Sequence, residues 1–433
     1  MKILIDGYGL STPGGLPRWN CALASTLAER KHTVFLFTTD IFAVPFYPLH
    51  DAVVRVAYTY NGLQRDLELF RQQIRNCKPD VCLSPYSSGR HLLWCAALWD
   101  SGIPWIYSEH GGPNAIDTVA WNRTERLAAM SGADRIHLLF PEYLSSIPEF
   151  LHNRTRIIPN PVWLDANLKY PAQCSEKEKI IISMGRLDPF KQNALLVEAF
   201  AHLASGFPEW KLEIWGDGPE KQRLEKQVHA YGLKDRVRLP GTTEHPEIHY
   251  KKAQIFCIPS QFEGFGLSTT EAMTMRLPVV GFAECSGTNQ IVKHGRTGLL
   301  AEHMASRSLA ECLRQLMSDE NLRAAMGKQG QIEAQQFTPS RVYDAWEELL
   351  KETAACEGRA RMNTAYLQHA LPEERPYLNT LKICAHRRLV YLVKDDWLHI
   401  FAWKHPWLRR IYIFMRHWLK KIFLANTARQ GIF

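Results

Sequence analysis

No stretch of this 433-residue sequence approaches the roughly 18 uninterrupted apolar residues that a membrane-spanning helix needs, which argues against an integral helical membrane protein. The first residues, MKILIDGYG, lack the apolar core and small-residue cleavage site of a secretory leader. They read instead as a short buried strand running into a glycine turn, and a cytoplasmic location is expected. Ten cysteines are scattered (21, 77, 82, 95, 174, 257, 285, 312, 356 and 384) with no CxxC pair and no His-rich partner cluster. That spacing argues against a disulfide framework or a zinc site, and for reduced thiols. The full GxGxxG fingerprint is also missing after the first strand, which counts against a dehydrogenase.

What is present is a globular composition, 46% hydrophobic and 22% charged, on a chain long enough for two domains and an appendage. The net charge of +8 is concentrated near the carboxyl end. Between Lys382 and Leu424 ten Lys and Arg face only Asp395 and Asp396, so the remainder is near neutral.

Apolar strands alternate with helical patterns twice over. KILIDG, HTVFLFTT, PDVCLSPY, PWIYSEHG and ADRIHLLF come first, with PRWNCALASTLAER helical between the first two. After a Pro-, Asn- and charge-rich lapse at IIPNPVWLDANLKYPAQCSEKEK, a second series follows: KIIISMGRL, WKLEIWGDGP, RVRLPG, AQIFCIPS, LPVVGF and GLLA. Short, fully apolar strands separated by helices mean parallel sheets covered on both faces. The expected architecture is α/β: a domain over 1–170, a second over 171–340, a helix over 341–356 returning toward the first, and an extension over 357–433. In such sheets ligands bind at the carboxyl ends of the strands, where the glycine-rich loops of this sequence fall.

Four loops hold residues suited to chemistry. In SMGRLDPFKQN, Arg186 and Lys191 lie between a strand and a helix start, where unpaired N–H groups and the helix dipole favour an anion such as a diphosphate. Taken alone, the pair reads equally as solvated surface charge. STPGGLPR, with Gly14 and Gly15, lets backbone approach a ligand, although most such pairs are only turns. In SEHGGP, His110 suits a sugar hydroxyl or developing charge, or else a loop histidine satisfied by backbone. EGFGLSTTE sets Glu263 and Glu271 on either side of a glycine loop at a helix start. There Ser268 and Glu271 have the S-x-x-E spacing of a capping box, and Glu263 could be a solvated acid.

Together and in this order, EGFGLSTTE, GRLDPFKQ, GDGPE, IPNPV and LPVVGFAECSGTNQIVKHGRTGLL resemble the retaining glycosyltransferases of GT-B fold in family 4. The likeness covers residues 1 to about 355 and is densest in the second half; EGFGLSTTE carries that family's E-x7-E motif. The resemblance implies two facing Rossmann-like, doubly wound parallel-sheet domains, with a nucleotide-sugar held mainly by the second. It implies that Arg186 and Lys191 neutralise the leaving diphosphate and that Glu271 takes the ribose hydroxyls. Glu263, with the amides of Gly264, Phe265, Gly266 and Leu267, would hold the donor sugar and diphosphate oxygens. Gly15 would approach the diphosphate from the amino-terminal side, and His110 would contact the transferred sugar. Glu263, His110, Lys191 and Arg186 form the expected catalytic set. No metal and no cofactor is implied, in keeping with the lack of a DxD-type acidic pair at a strand end. The donor expected is a UDP-hexose and the acceptor a lipid-linked saccharide or other cell-surface glycan precursor. Another chemistry on this fold (a UDP-sugar epimerase or a glycan phosphorylase) and a non-catalytic membrane scaffold that binds nucleotide-sugar are the alternatives.

The extension adds a basic amphipathic helix. In WLRRIYIFMRHWLKKIFL, Trp407, Ile411, Phe414, Trp418 and Ile422 fall on one side at 100° per residue, and Arg409, Arg416, Lys420 and Lys421 on the other. This pattern suits a helix lying in an anionic membrane surface through residues 400–424, at the inner face. Packing of its apolar side on the first domain is the other reading, and no motif for nucleic acid accompanies it.

Overall fold

The computed structural model describes residues 1–356 and 370–380, apart from 8, 13, 40–41, 59–63, 86–89, 114–122 and 165–176. The expected boundary at 170–171 and the basic helix at 400–424 lie outside the described residues. In chain order the first sheet is built from β1 (Lys2–Asp6), β2 (Thr33–Thr38), β3 (Val54–Ala57), β4 (Val81–Pro85), β5 (Trp105–Ser108), β6 (Arg135–Leu138) and β7 (Thr155–Ile157). The second is built from β8 (Ile180–Met184), β9 (Lys211–Trp215), β10 (Val237–Gly241), β11 (Ile255–Ile258), β12 (Val279–Phe282) and β13 (Gly298–Ala301). Every pairing is parallel, in the orders β3-β2-β1-β4-β5-β6-β7 and β10-β9-β8-β11-β12-β13.

The apolar runs read from the sequence are these strands. Ile3, Leu4 and Ile5 of β1 and Ile181 and Ile182 of β8 have no solvent exposure, as strands covered on both faces require. Two strands escape the sequence reading, β3 (VRVA) and β7 (TRI). Both are short sheet edges, largely half-exposed, and each contains an arginine, so neither shows an apolar run.

Each sheet reverses its winding once, between β1 and β4 and between β8 and β11, and doubly wound sheets open their ligand crevices at those points. Helices Gly15–Glu29, Asn193–Leu203 and Leu267–Thr274 begin at the exits of β1, β8 and β11, so their amino ends gather at the strand carboxyl edges.

The helix Pro339–Ala354 follows the second sheet in sequence but packs in the core of the first. Val342, Tyr343, Trp346, Leu349 and Leu350 join Ile3, Ile5, Trp19 and Val34 there. Trp346 meets Trp19 at 5.0 Å and His137 at 4.5 Å between ring centroids. On its outer side Arg30 bridges Asp344 and Glu347. Past this helix, Glu374 is buried against Arg154 at 2.6 Å, which ties the start of the extension to the first domain. The eight described cysteines are all free thiols, seven of them buried; Cys174 and Cys384 lie outside the described residues.

Candidate functional site

The loops after β8 and β11 meet because those strands are hydrogen-bonded neighbours. Lys191, in the short 3-10 turn Pro189–Lys191, donates to Glu263 Oε1 at 2.7 Å, and Ser260 Oγ donates to the same oxygen at 2.6 Å. The Glu263 carboxylate is 9% exposed, so the pair stands at the floor of the crevice. Both donors reach Oε1, and among the described residues none reaches Oε2, which leaves that oxygen an acceptor for a hydroxyl. Arg186 lines the same pocket but is held differently. Its guanidinium pairs with Asp188 of its own loop at 3.0 Å and remains 70% exposed, free to swing onto an anion.

Gly266 starts the helix Leu267–Thr274 from the left-handed region, at φ 83°, and no side chain caps that end. The Thr269 and Thr270 amides donate to the Gly266 carbonyl at 3.0 and 3.2 Å, which leaves the Leu267 and Ser268 N–H groups without an intrahelical acceptor and open to an anion or solvent. The capping-box reading of Ser268 and Glu271 is overturned: the helix begins at Leu267, two residues too early for Ser268 to cap it. Glu271 instead accepts from Arg18 Nη1 of the first domain at 2.9 Å and lies 3.3 Å from the Tyr250 hydroxyl. Burial raises the Glu271 carboxyl above the ordinary carboxylate value, against the pull of Arg18 and Tyr250.

The first domain closes the crevice with backbone. A Cβ on Gly264 would lie 2.1 Å from the His110 carbonyl oxygen, and one on Gly112 would lie 2.8 Å from the Glu263 carbonyl oxygen. Only glycines let these two loops touch. Tyr143 donates to the Gly264 carbonyl at 2.9 Å. The Phe265 side chain stacks on Phe140 at 5.4 Å and meets Phe337 edge-on at 5.2 Å, so Phe265 offers a ligand its backbone and not its ring. Gly15 opens the helix Gly15–Glu29, and a Cβ there would stand 3.0 Å from Leu267. Two helix amino ends thus face each other across the cleft.

His110 sits at the end of a hydrogen-bonded relay. The Ile158 carbonyl can only accept, so His137 Nε2 donates to it at 2.7 Å. Burial pushes His137 down to about 4, hence the ring is neutral and its Nδ1 accepts from Ser108 Oγ at 2.8 Å. Ser108 Oγ also lies 3.0 Å from His110 Nε2. Burial, reinforced by His137, holds His110 well below the usual histidine range. Asn160 Oδ1 stands 3.1 Å from His110 Nδ1. Beside His110, Glu109 is fully buried in a two-bond pair with Arg126, at 2.7 and 2.8 Å, and fixes the loop from beneath.

Of the residues expected from sequence, Lys191, Glu263, Gly264, Gly266, Leu267, Gly15 and His110 converge on one cleft. Glu271 lies on the same helix as Leu267, one turn further in. Arg18, Ser260, Tyr250 and Asn160 were missed. Arg18 was in view within STPGGLPR, and Asn160 within IPNPV, but neither spacing announces a partner in the other domain or across the sheet.

Two family models match in tandem: Glycosyltransferase Family 4 over residues 13–166 and Glycosyl transferases group 1 over residues 168–333. The chain belongs to the GT-B glycosyltransferases. Over 175 residues it is 35% identical to an exopolysaccharide phosphotransferase of Streptomyces coelicolor, a match covering 40% of this chain and only 19% of that protein. A Campylobacter jejuni enzyme is 25% identical over 358 residues, covering 78% of this chain and 95% of the relative. Its name is GalNAc-alpha-(1->4)-GalNAc-alpha-(1->3)-diNAcBac-PP-undecaprenol alpha-1,4-N-acetyl-D-galactosaminyltransferase. The Anabaena protein HepE, solved with UDP and glucose, shares the fold at a TM-score of 0.67 and 18% identity, over 81% of this chain and all of that one.

If the loop contact matters for glycosyl transfer, Gly264→Ala must separate the loops by about 1 Å, a displacement that typically costs on the order of 100-fold in rate. The expected outcome is that loss in nucleotide release from donor, with the protein still folded by circular dichroism. An unchanged rate would show that the two loops need not touch.

Proposed function

We propose that the chain is a retaining hexosyltransferase of family 4, taking a hexose from a UDP-sugar to a lipid-linked saccharide or another cell-surface glycan precursor. The observation that carries this reading is the Lys191–Glu263–Ser260 cluster beside an uncapped helix amino end, with Arg186 on the same pocket and His110 opposite. Support for UDP and a hexose comes from the ligands named for HepE, and for a lipid-linked acceptor from the name of the Campylobacter relative.

In this reading the diphosphate lies at the amino end of Leu267–Thr274, neutralised by Arg186 and Lys191 without a metal. As the bond from the anomeric carbon to the phosphate oxygen breaks, negative charge grows on that oxygen, and the cations and amides stabilise it. The acceptor hydroxyl enters on the same face, forms the new bond and gives its proton to the departing phosphate. Glu263 and the neutral His110 act as hydrogen-bond partners of the sugar. Glu271 accepts the two ribose hydroxyls. The apposed loops keep water from the reacting carbon.

Lys191→Ala is expected to lower kcat by roughly 100- to 1000-fold, the usual effect of removing one oxyanion-stabilising group, with a much smaller change in KM. Proton NMR of the wild-type product should show the donor's anomeric configuration. Normal turnover by the variant, or an inverted product, would contradict the mechanism.

Membrane attachment at the inner face is the second part of the proposal, and it rests on the basic and aromatic pattern of residues 407–423. Among the described residues no helix is long and apolar enough to cross a membrane. Replacing Arg409, Arg410, Lys420 and Lys421 by Glu should release the protein from vesicles containing anionic lipid in co-sedimentation. Equal retention of wild type and variant would dismiss an electrostatic attachment.

A further inference from the structure

Glu271 is bound by the opposite domain. Arg18, in the first turn of Gly15–Glu29, reaches across the cleft to Glu271 Oε1 at 2.9 Å. Its guanidinium is held from behind, 4.5 Å over the Trp163 ring and 5.9 Å from that of Tyr47. Those rings are themselves fixed: Trp163 donates to the Tyr343 hydroxyl at 2.9 Å, and the Tyr47 hydroxyl accepts from the Gly14 amide at 3.2 Å. Arg18 is therefore a preorganised cation of the first domain, aimed at a carboxylate of the second.

The carboxylate needs it. The Glu271 side chain is only 8% exposed, and a buried acid without a cation protonates sooner than one that has one. The charged and titratable groups facing it are Arg18 from the first domain, and Tyr250 and Glu247 from the helix Pro246–Lys252. Tyr250 is a neutral donor, since burial keeps its hydroxyl from ionising, and Glu247 works against ionisation of Glu271. From the helix Glu320–Ala334, packed on the other side, Gly330 approaches Met273 and Gln331 donates to the Thr274 carbonyl. The cation that favours the ionised form thus comes from the other domain.

We propose that Arg18 is a positioning residue that keeps Glu271 ionised and aimed, so that recognition of the donor's ribose by the second domain is completed only when the first domain is apposed. This rests on the reading of Glu271 as the ribose acceptor. Two ribose hydroxyls can both donate to a carboxylate, whereas a protonated carboxyl has a donor of its own in the way. The ionised form prevails above the folded-state pKa of Glu271 and is lost as pH falls through it. Removing Arg18 moves that pKa further up, so the loss begins at higher pH.

The test is calorimetric titration of UDP into the full chain between about pH 6 and pH 9, each variant expressed as a ratio to wild type so that titration of the nucleotide cancels. Arg18→Met, which keeps most of the apolar stem and removes the charge, is expected to bind UDP roughly tenfold more weakly at the acid end and to recover as pH rises. Arg18→Lys should restore most of the affinity and flatten the profile. Glu271→Gln should be weak at every pH, and adding Arg18→Met to it should change nothing further. If Glu271→Gln is weak but Arg18→Met binds as wild type with a flat profile, the role of Arg18 is overturned while the ribose assignment survives. If Glu271→Gln binds as wild type, the ribose assignment falls and the inference with it.

Discussion

Strands β8 and β11 lie side by side, and the chain leaves them on opposite windings of the sheet. Because of that single pairing, a cation and a carboxylate 72 positions apart in sequence stand 2.7 Å apart at the crevice. A partly buried ion pair of this kind contributes little net stability, since desolvation offsets most of the attraction. Its value is readiness. Lys191 and Glu263 hold each other in rotamers suited to a phosphate and a hydroxyl, and a polar ligand can take over either contact without leaving a buried charge alone.

The second constraint is how closely the domains approach. Backbone touches backbone at Gly112 and Gly264, while Phe140, Phe265 and Phe337 seal the contact with aromatic surface just outside. The helix Pro339–Ala354 stitches the chain back to the first domain through Trp346, whose ring contacts Trp19 and His137. Trp19 also lies 4.4 Å from His110. Packing that holds the domains together therefore continues, ring by ring, into the hydrogen-bonded chain around His110.

Much of this architecture was legible in sequence because buried parallel strands are nearly uninterrupted apolar runs, and eleven of the thirteen strands among the described residues were read from it. The edge strands β3 and β7 did not, being short and half solvated. At the site, the glycine loops and Lys191 with Glu263 could be named in advance because their motifs sit at strand exits. Arg18 could not, since an arginine in a helix's first turn reads as a solvated charge until the opposite domain is seen. The Ser268–Glu271 spacing pointed to a cap, yet Gly266 starts the helix by its own backbone and leaves Glu271 for Arg18. Spacing reports what one element can do with itself; a contact between domains has no such period. The relay through Ser108 and His137 was hidden for the same reason.

The central claim is that the cleft holds a nucleoside diphosphate at the loops after β8 and β11. The most direct measurement is calorimetric titration of UDP, GDP and ADP into wild type and into the double variant Arg186→Ala/Lys191→Ala. The account predicts binding of UDP in preference to the other two, lost in the double variant. Failure of all three to bind the folded wild-type protein, or undiminished UDP binding by the variant, would contradict it.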